Sequence, residues 1–368
     1  MNYVDEFRDP QRARRLIAAI HELHPAVGRP LQLMEFCGGH THTLLRYGIE
    51  QLLPEGIEMV HGPGCPVCVL PRERVDDAVV LAERPEVIFA TFGDALRVPG
   101  SRQTLLQARA GGADVRMVYS PLDALALARR HPEREVVFFA LGFETTMPAT
   151  ALTVLQAARQ RIDNFSLFCN HVTTLPTLRA VLDDPDMRLD GLLAPGHVSM
   201  VVGMQPFVWV ADHYQLPIAI TGFEPLDMLQ SLWLLLRQLA AGRHEVENQY
   251  ARVVPAAGNA AGLDAMARVF DLQVAFTWDG SVPPGGSGVR MQAEYARFDA
   301  ARRFSVPEPQ ASPTTPECEL VLMGRIQPQA CRHFGSGCTP ATPMGALMVS
   351  AEGACAACYR YGGRERRA

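Results

Sequence analysis

The sequence predicts an α/β protein with two similar parallel-sheet domains and a separate cysteine-rich domain. Short apolar runs of strand length recur between residues 31 and 223, and helix-like stretches lie between several of them. Continuous apolar strands that alternate with helices are typical of parallel sheets. After about residue 240 the texture changes. SVPPGGSG (281–288) indicates a loop, and SVPEPQASPTTPE (305–317) is proline-rich without periodicity.

The predicted strands are short runs followed by glycine or polar residues. In chain order they are LQLMEF (31–36), IEMVHG (57–62), VIFATFG (87–93), VRMVYS (115–120), VVFFALGF (136–143), FSLFCN (165–170), GLLAPG (191–196) and IAITGF (218–223). RERVDDAVVLAER (72–84) and PLDALALARRH (121–131) are typical of helices. We expect the first of these helices to begin at Pro71, because proline suits a first helical turn.

A weak internal repeat relates FATFGD (89–94), FALGFET (139–145) and AITGFEP (219–225). Two similar halves would explain it, and so would the general need for glycine where a strand turns into a loop. We place one α/β domain at 31–130 and a second at 131–240. The third domain is expected to combine 241–368 with an N-terminal helix in 1–30.

Polar residues follow the apolar runs at their carboxyl ends. Open parallel sheets bind ligands at this edge, so we expect one crevice to gather these side chains. They are Cys37, His40, Cys65, Cys68, Asp94, Glu144, Asn170, His171, His197 and Glu224.

Composition excludes several kinds of function. The chain has 368 residues, 48% of them apolar, and a net charge of −5, which is not the footprint of a nucleic-acid or membrane-surface protein. All 34 basic residues are arginine. The absence of lysine excludes a GxxxxGK[ST] phosphate loop, a Schiff base and a lysine general base.

Two segments could be a targeting signal or a membrane span, and neither fits that role. The N-terminal MNYVDEFRDPQRARRL is charged and lacks the apolar core of a secretory signal. MLQSLWLLLRQLAA is interrupted by Gln230 and Arg237 and is too short to span a bilayer. We therefore expect a cytoplasmic protein whose nine cysteines bind metal or carry redox chemistry.

Five cysteines lie close together near the C-terminus, with 12, 6, 16 and 2 residues between them. Such a density in a reducing compartment predicts metal binding. Only one closely spaced pair is present, where a structural zinc site usually has two, and the CTP tripeptide suits an iron–sulfur cluster. Spacing favours the cluster and leaves zinc open. The five are Cys318, Cys331, Cys338, Cys355 and Cys358.

GPGCPVC (62–68) places Cys65 and Cys68 between a glycine-proline turn and a helix. The helix N-terminus and Arg72 would favour the thiolate, as a redox pair requires. Half of a zinc site and an ordinary turn are the alternatives.

FCGGHTH (36–42) brings Cys37, His40 and His42 together after a strand, and a thiolate with a nearby imidazole suits iron, zinc or copper. An ordinary glycine turn before a helix is the alternative for this stretch. GFETT (142–146) and PGHVS (195–199) each have an equally good explanation in turns and helix caps. They add Glu144, Thr145, Thr146, His197 and Ser199.

The four motifs FCGGHTH, GPGCPVC, GFETT and PGHVS, with GALMVSAEGAC (345–355), resemble the HypD family of hydrogenase maturation factors in order along almost the whole chain. The resemblance implies two α/β domains and a domain holding a 4Fe-4S cluster. It implies action with the chaperone HypC in assembling the iron, two cyanides and carbon monoxide of nickel-iron hydrogenases. Cyanide would come from HypE and HypF.

The resemblance also assigns residues. Cys37 becomes an iron ligand with His40 beside it, and Cys65 and Cys68 become a redox-active pair. Cys358 lies outside the family's cluster pattern, which leaves open an exchange of ligand roles with Cys355. The cluster ligands are Cys318, Cys331, Cys338 and Cys355.

Together these features lead to the hypothesis of a redox-active assembly scaffold. Cys37 would share an iron with a cysteine of HypC, and the cluster would pass electrons through the GPGCPVC pair. Two rivals stay open: an iron–sulfur-dependent thiol-disulfide oxidoreductase that binds no second iron, and a zinc-stabilised binding module. Residues expected to orient or protonate the diatomic ligands are Glu144, Thr145, His197 and Ser199.

Overall fold

A computed structural model describes residues 5–274, 288–306 and 316–362. Residues 281–287 of the predicted loop and 307–315 of the proline-rich stretch lie outside the described residues. The described strands are β1 (Leu31–Glu35), β2 (Ile57–His61), β3 (Val87–Thr91), β4 (Val115–Met117), β5 (Glu135–Gly142), β6 (Phe165–His171), β7 (Gly191–Pro195), β8 (Ile218–Thr221), β9 (Val246–Asn248), β10 (Phe270–Val274) and β11 (Gly288–Met291).

Helices connect the strands and cover both sheets. They are α1 (Pro10–Leu23), α2 (Gly38–Arg46), α3 (Arg72–Ala82), α4 (Leu105–Ala110), α5 (Pro121–Arg130), α6 (Met147–Gln160), α7 (Thr174–Leu182), α8 (Gly196–Val202), α9 (Gln205–Tyr214), α10 (Pro225–Ala240), α11 (Ala260–Val269), α12 (Ala300–Arg303), α13 (Pro316–Leu322) and α14 (Ala354–Tyr361). None of the helices in the described parts of the chain is both long and apolar enough to cross a membrane.

Two parallel sheets form the framework, which confirms the predicted α/β class. The first sheet has the strand order β2-β1-β7-β8-β9, and the second has the order β4-β3-β5-β6. Neighbouring strands run parallel throughout both sheets. Strands β10 and β11 form an antiparallel pair beside the second sheet. All eight apolar runs of the sequence become strands, β1 to β8.

Helix starts follow local sequence. Helix α5 begins at Pro121, as the run PLDALALARRH predicts, and the Ser120 hydroxyl accepts a hydrogen bond from the Leu122 N–H at 3.0 Å. Helix α3 begins at Arg72, one residue later than predicted. Pro71 is its N-cap, because its ψ of 140° is extended rather than helical.

The sheets divide the chain differently from the predicted boundary at residue 130. The first sheet takes β1 and β2 from before β3 and takes β7, β8 and β9 from after β6. The whole second sheet, residues 87–171, is therefore inserted within the first. Apolar runs identify strands, but the pairing of strands depends on tertiary packing that one segment does not encode.

The third predicted domain, 241–368 with 1–30, is also divided differently. Helix α1 packs on α10 beside the first sheet, where Ile20 joins an apolar cluster with Leu232 and Leu235. Helix α11 packs on α6, and β11 packs on β6, so both belong to the second sheet. Helices α1 and α11 each cover the apolar face that lies nearest to them, α1 beside the first sheet and α11 beside the second.

The cysteine-rich segment, residues 316–362, packs across the first sheet. Helix α14 lies against α2, and Leu322, Leu347 and Met348 share an apolar cluster with Met34 and Val60 of β1 and β2. This cluster brings the C-terminal cysteines to the carboxyl edge of the sheet.

Candidate thiol and imidazole site

The first sheet changes winding direction between β1 and β7. From β1 the chain proceeds to β2 on one side, while β7 and β8 lie on the other, and ligand crevices open at such points. Cys37 follows β1 as the N-cap of α2, and His197 follows β7 as the second residue of α8. The Cys37 Sγ lies 3.7 Å from both the Nδ1 and the Nε2 of His197. The structure thus brings together residues that are 160 positions apart.

The Cys37 thiol is almost fully enclosed, with 1% of the residue exposed. Burial raises its pKa well above the ordinary value, and the carboxylates of Glu35 and Glu352 raise the pKa further. The sulfur is therefore a neutral thiol at neutral pH. A cation bound to it would favour the thiolate, so metal binding here would release a proton.

Phe223 separates and orients two imidazoles. Its ring stacks on His197, with ring centroids 5.0 Å apart, and contacts His40 at 5.1 Å. Burial lowers the pKa of His197 to about 4 and that of His40 to about 3, so both rings are neutral. The His40 Nε2 lies 3.1 Å from the Thr221 carbonyl oxygen. Its buried Nδ1 has no hydrogen-bond partner among the described residues, which leaves a lone pair inside the site.

A buried ion pair lies behind Cys37. The Glu35 carboxylate accepts hydrogen bonds from the Cys37 N–H and from His61 Nδ1, both at 2.8 Å. His61 Nε2 lies 3.2 Å from Glu50. Burial lowers the pKa of His61, but the hydrogen bonds that His61 donates to Glu35 and Glu50 outweigh burial and raise that pKa to about 10. Sequence reasoning missed this pair, although a glutamate and a histidine inside apolar strands were a signal.

The GPGCPVC loop packs directly on Cys37. A Cβ at Gly64 would overlap the Cys37 backbone, and the Gly38 N–H donates to the Gly64 carbonyl at 3.2 Å. Cys65 and Cys68 are joined as a disulfide, with their Cα atoms 5.2 Å apart. The pair is therefore next to the thiol site, as its position after β2 predicts.

A small cavity connects this disulfide with the cysteine-rich segment. Cys68 and Cys318 both line it, together with Arg72 and Met344. The Arg72 guanidinium donates to the Met344 carbonyl oxygen at 3.3 Å. The disulfide therefore borders Cys318 across the cavity. The same loop contacts Cys37 through Gly64.

The C-terminal thiols form an electrostatically coupled group. Burial raises the pKa of Cys355, and the other four cysteines of the segment raise it further. The Met344 N–H donates to the Cys338 Sγ at 3.3 Å, the kind of hydrogen bond that tunes cluster sulfurs. Within residues 5–274, 288–306 and 316–362, no three Cys, His, Asp or Glu side chains are grouped closely enough to hold one metal ion. The thiols of this segment are of the ligand type that both iron–sulfur clusters and structural zinc take.

Glu352 is a site residue that the sequence did not single out. A Cβ at Gly38 would meet the Glu352 backbone, so this turn covers the start of α2. The Glu352 N–H donates to the Ser350 hydroxyl, which donates to Asp94 at 3.5 Å. The pKa of Glu352 is raised by partial removal from water and by the Asp94 charge, although the side chain keeps contact with solvent. Asp94 follows β3, so this turn links the edges of both sheets.

Other predicted site residues have local structural partners. Both oxygens of Glu144 accept from Thr174, at 2.8 and 2.7 Å, which fixes the start of α7, and burial raises its pKa. The Ser199 hydroxyl donates to the Pro195 carbonyl oxygen. Thr146 donates to the carbonyls that end β5. His171 contacts Gly142 and Thr150 within the second sheet. Phe143 beside Glu144 packs in the apolar cluster that contains Cys65 and Cys68.

Fold and site define a class: a doubly wound α/β protein in which cysteines from three parts of the chain meet at one sheet edge. The chain belongs to the HypD family of hydrogenase maturation factors. A family model described as "HypD: Hydrogenase formation hypA family" matches residues 11–362.

Relatives matched over nearly their full length are named as hydrogenase maturation or formation proteins. The "Hydrogenase maturation factor HypD" of Rhodobacter capsulatus is 55% identical over 99% of both chains. That of Escherichia coli (strain K12) is 51% identical over 100% of both chains. The "Hydrogenase expression/formation protein HupD" of Azotobacter chroococcum mcd 1 is 51% identical over 100% of this chain and 98% of its own length.

Proposed function

We propose that the protein is a redox-active scaffold that, with HypC, assembles the Fe(CN)₂CO unit of nickel-iron hydrogenases. HypE, with HypF, would donate the cyanide. The observation that carries the proposal is the meeting of Cys37, the Cys65–Cys68 disulfide and Cys318 along one sheet edge. Thiolates are the soft ligands that low-valent iron favours, and the enclosed position of Cys37 excludes water.

The iron is the substrate, and Cys37 is its ligand in this proposal. The neutral His197 ring lies 3.7 Å from the sulfur and relays the thiol proton as the metal binds, since a ring with a pKa of about 4 does not keep that proton at neutral pH. The buried Nδ1 lone pair of His40 supplies a second acceptor within the site. Glu144 fixes the start of α7 by accepting a hydrogen bond from the Thr174 N–H. Its neighbour Phe143 packs in the apolar cluster that contains Cys65 and Cys68.

The disulfide supplies the redox capacity. Its reduction takes up two electrons and two protons and gives the Cys65 and Cys68 thiols. A 4Fe-4S cluster, when bound in the C-terminal segment, would supply single electrons. The ligands would be Cys318, Cys331, Cys338 and Cys355.

Infrared spectroscopy of the complex with HypC tests the proposal. Bound cyanide and carbon monoxide absorb in an otherwise empty window, so wild-type protein under maturing conditions should show both bands. Cys37→Ala should lose them and keep the cluster absorbance. Cys169→Ala, which removes a half-buried thiol in β6 that donates to the Val289 carbonyl oxygen, is the matched control and should keep both.

Three results would count against this account. Loss of both the bands and the cluster in Cys37→Ala would contradict the separation of the two sites. Zinc without acid-labile sulfide would indicate a zinc-stabilised binding module. A wild-type complex without bands would favour a thiol-disulfide oxidoreductase, the second candidate, which the Cys65–Cys68 disulfide supports.

A further inference from the structure

We propose that Glu35 is a positioning residue that, held by His61, fixes the Cys37 thiol for metal binding. This inference rests on the proposed function of Cys37 as an iron ligand. Neither Glu35 nor His61 belongs to the motifs that suggested that function.

Burying the carboxylate of Glu35 at the end of β1 costs free energy. Glu35 ends the apolar strand β1 and is 0% exposed. Burying a charge is unfavourable unless it is paired and hydrogen-bonded, and an apolar side chain would fill the same space without that cost. The carboxylate therefore has a use other than stability.

The Glu35 carboxylate holds the backbone around Cys37. The N–H of Cys37 points to Glu35, while the Cys37 carbonyl oxygen accepts from the His40 and Thr41 N–H groups inside α2. Glu35 also accepts from the Thr41 hydroxyl. The strand end, the cysteine and the first turn of the helix are thereby tied to one group. The backbone of Cys37, from which the sulfur projects, is therefore held at both its N–H and its carbonyl oxygen.

His61 holds the Glu35 carboxylate from the neighbouring strand. Glu35 and His61 are register partners on the paired strands β1 and β2. Their hydrogen bond ties the loop of Cys37 to the strand that leads into GPGCPVC. The pair thus helps to hold the Cys37 backbone in place relative to the disulfide loop.

The test uses the full-length protein with two variants and one control. Glu35→Gln removes the charge and keeps one acceptor. The double variant Glu35→Leu/His61→Leu replaces the ion pair by apolar groups, a change that buried pairs often tolerate, so it leaves no unpaired charge to unfold the protein. Glu58→Gln changes a carboxylate on β2 that bonds Gln32 and is the matched control.

We expect the double variant to melt near the wild-type temperature but to bind iron about 10–100-fold more weakly, as for lost partners of metal ligands. Glu35→Gln should shift the cyanide and carbon monoxide bands to higher wavenumber, because the nearest negative charge is gone. Glu58→Gln should match wild type in both. Unchanged bands and iron affinity in both Glu35 variants would overturn the inference.

A readout without iron separates this inference from the proposed function. Alkylation of Cys37 in the free protein, measured by peptide mass spectrometry with Cys169 as internal reference, should be faster in both Glu35 variants. If wild-type protein never shows the bands but this acceleration is seen, the proposed function fails and the positioning role stands. Equal alkylation rates would refute the positioning role.

Discussion

Gly196 at the start of α8 is the position where one methyl group tests the site most directly. A Cβ there would lie 2.5 Å from the Thr221 carbonyl oxygen and 2.7 Å from a Tyr250 ring carbon, whereas ordinary contact begins at 3.4 Å. The ends of β7 and β8 must separate by about 0.9 Å to accept it. His197 follows Gly196 directly, so Gly196→Ala moves the imidazole relative to the Cys37 sulfur.

The size of the effect follows from this displacement. Overpacking of this kind costs about 1–3 kcal/mol of unfolding free energy. Moving His197 displaces its nitrogens from their present position 3.7 Å from the Cys37 sulfur. A misplacement near 1 Å slows a geometrically demanding reaction by about 100-fold. We therefore expect a modest loss of stability and a large loss of assembly rate.

Urea unfolding measures the first effect, and the growth rate of the infrared bands in the complex with HypC measures the second. Gly262→Ala is the matched control, because it also lies in the first turn of a helix and its Cβ would meet Pro148 at an ordinary 3.4 Å. The control should keep the wild-type rate. A Gly196→Ala protein that assembles the bands at the wild-type rate would show that the contact between His197 and Cys37 is not needed.

Three further outcomes follow from the pKa values and burial of site residues. Phe223→Ala should expose His197 and raise its pKa from about 4 toward 6.5, a change that NMR titration of the imidazole would detect and that an unshifted titration would refute. The raised pKa of His61, about 10, contributes stability that is complete below pH 6.5 and is lost as pH rises through 10. His61→Gln should flatten that decline in urea unfolding, and an equally steep decline in the variant would contradict the assignment. After reduction, Cys68 should be alkylated faster than Cys65, because only Cys68 lines the cavity, and peptide mass spectrometry showing the reverse order would refute this.

The sequence predicted the strands and the sheet edge better than it predicted which strands pair and which side chains contact one another. Apolar runs identified β1 to β8, and the polar residues after them led to Cys37 and His197 at one crevice. The insertion of one sheet within the other was missed, because the apolar pattern of a strand does not specify its neighbour. Glu35 and His61 were hidden inside runs that looked like ordinary core strands. Phe223 and Glu352 were missed because an aromatic stack and a covering turn are products of tertiary packing.

The insertion has a consequence for how the molecule is made. Strand β1 cannot pair with β7 until the chain between them has emerged from the ribosome, since Leu33 pairs with Gly191, 158 positions later. Contacts so distant in sequence form late. The nascent chain therefore presents the thiol of Cys37 without its imidazole neighbour until the inserted sheet has been synthesised. A product that ended before residue 197 would carry Cys37 but lack the imidazole that lies against it.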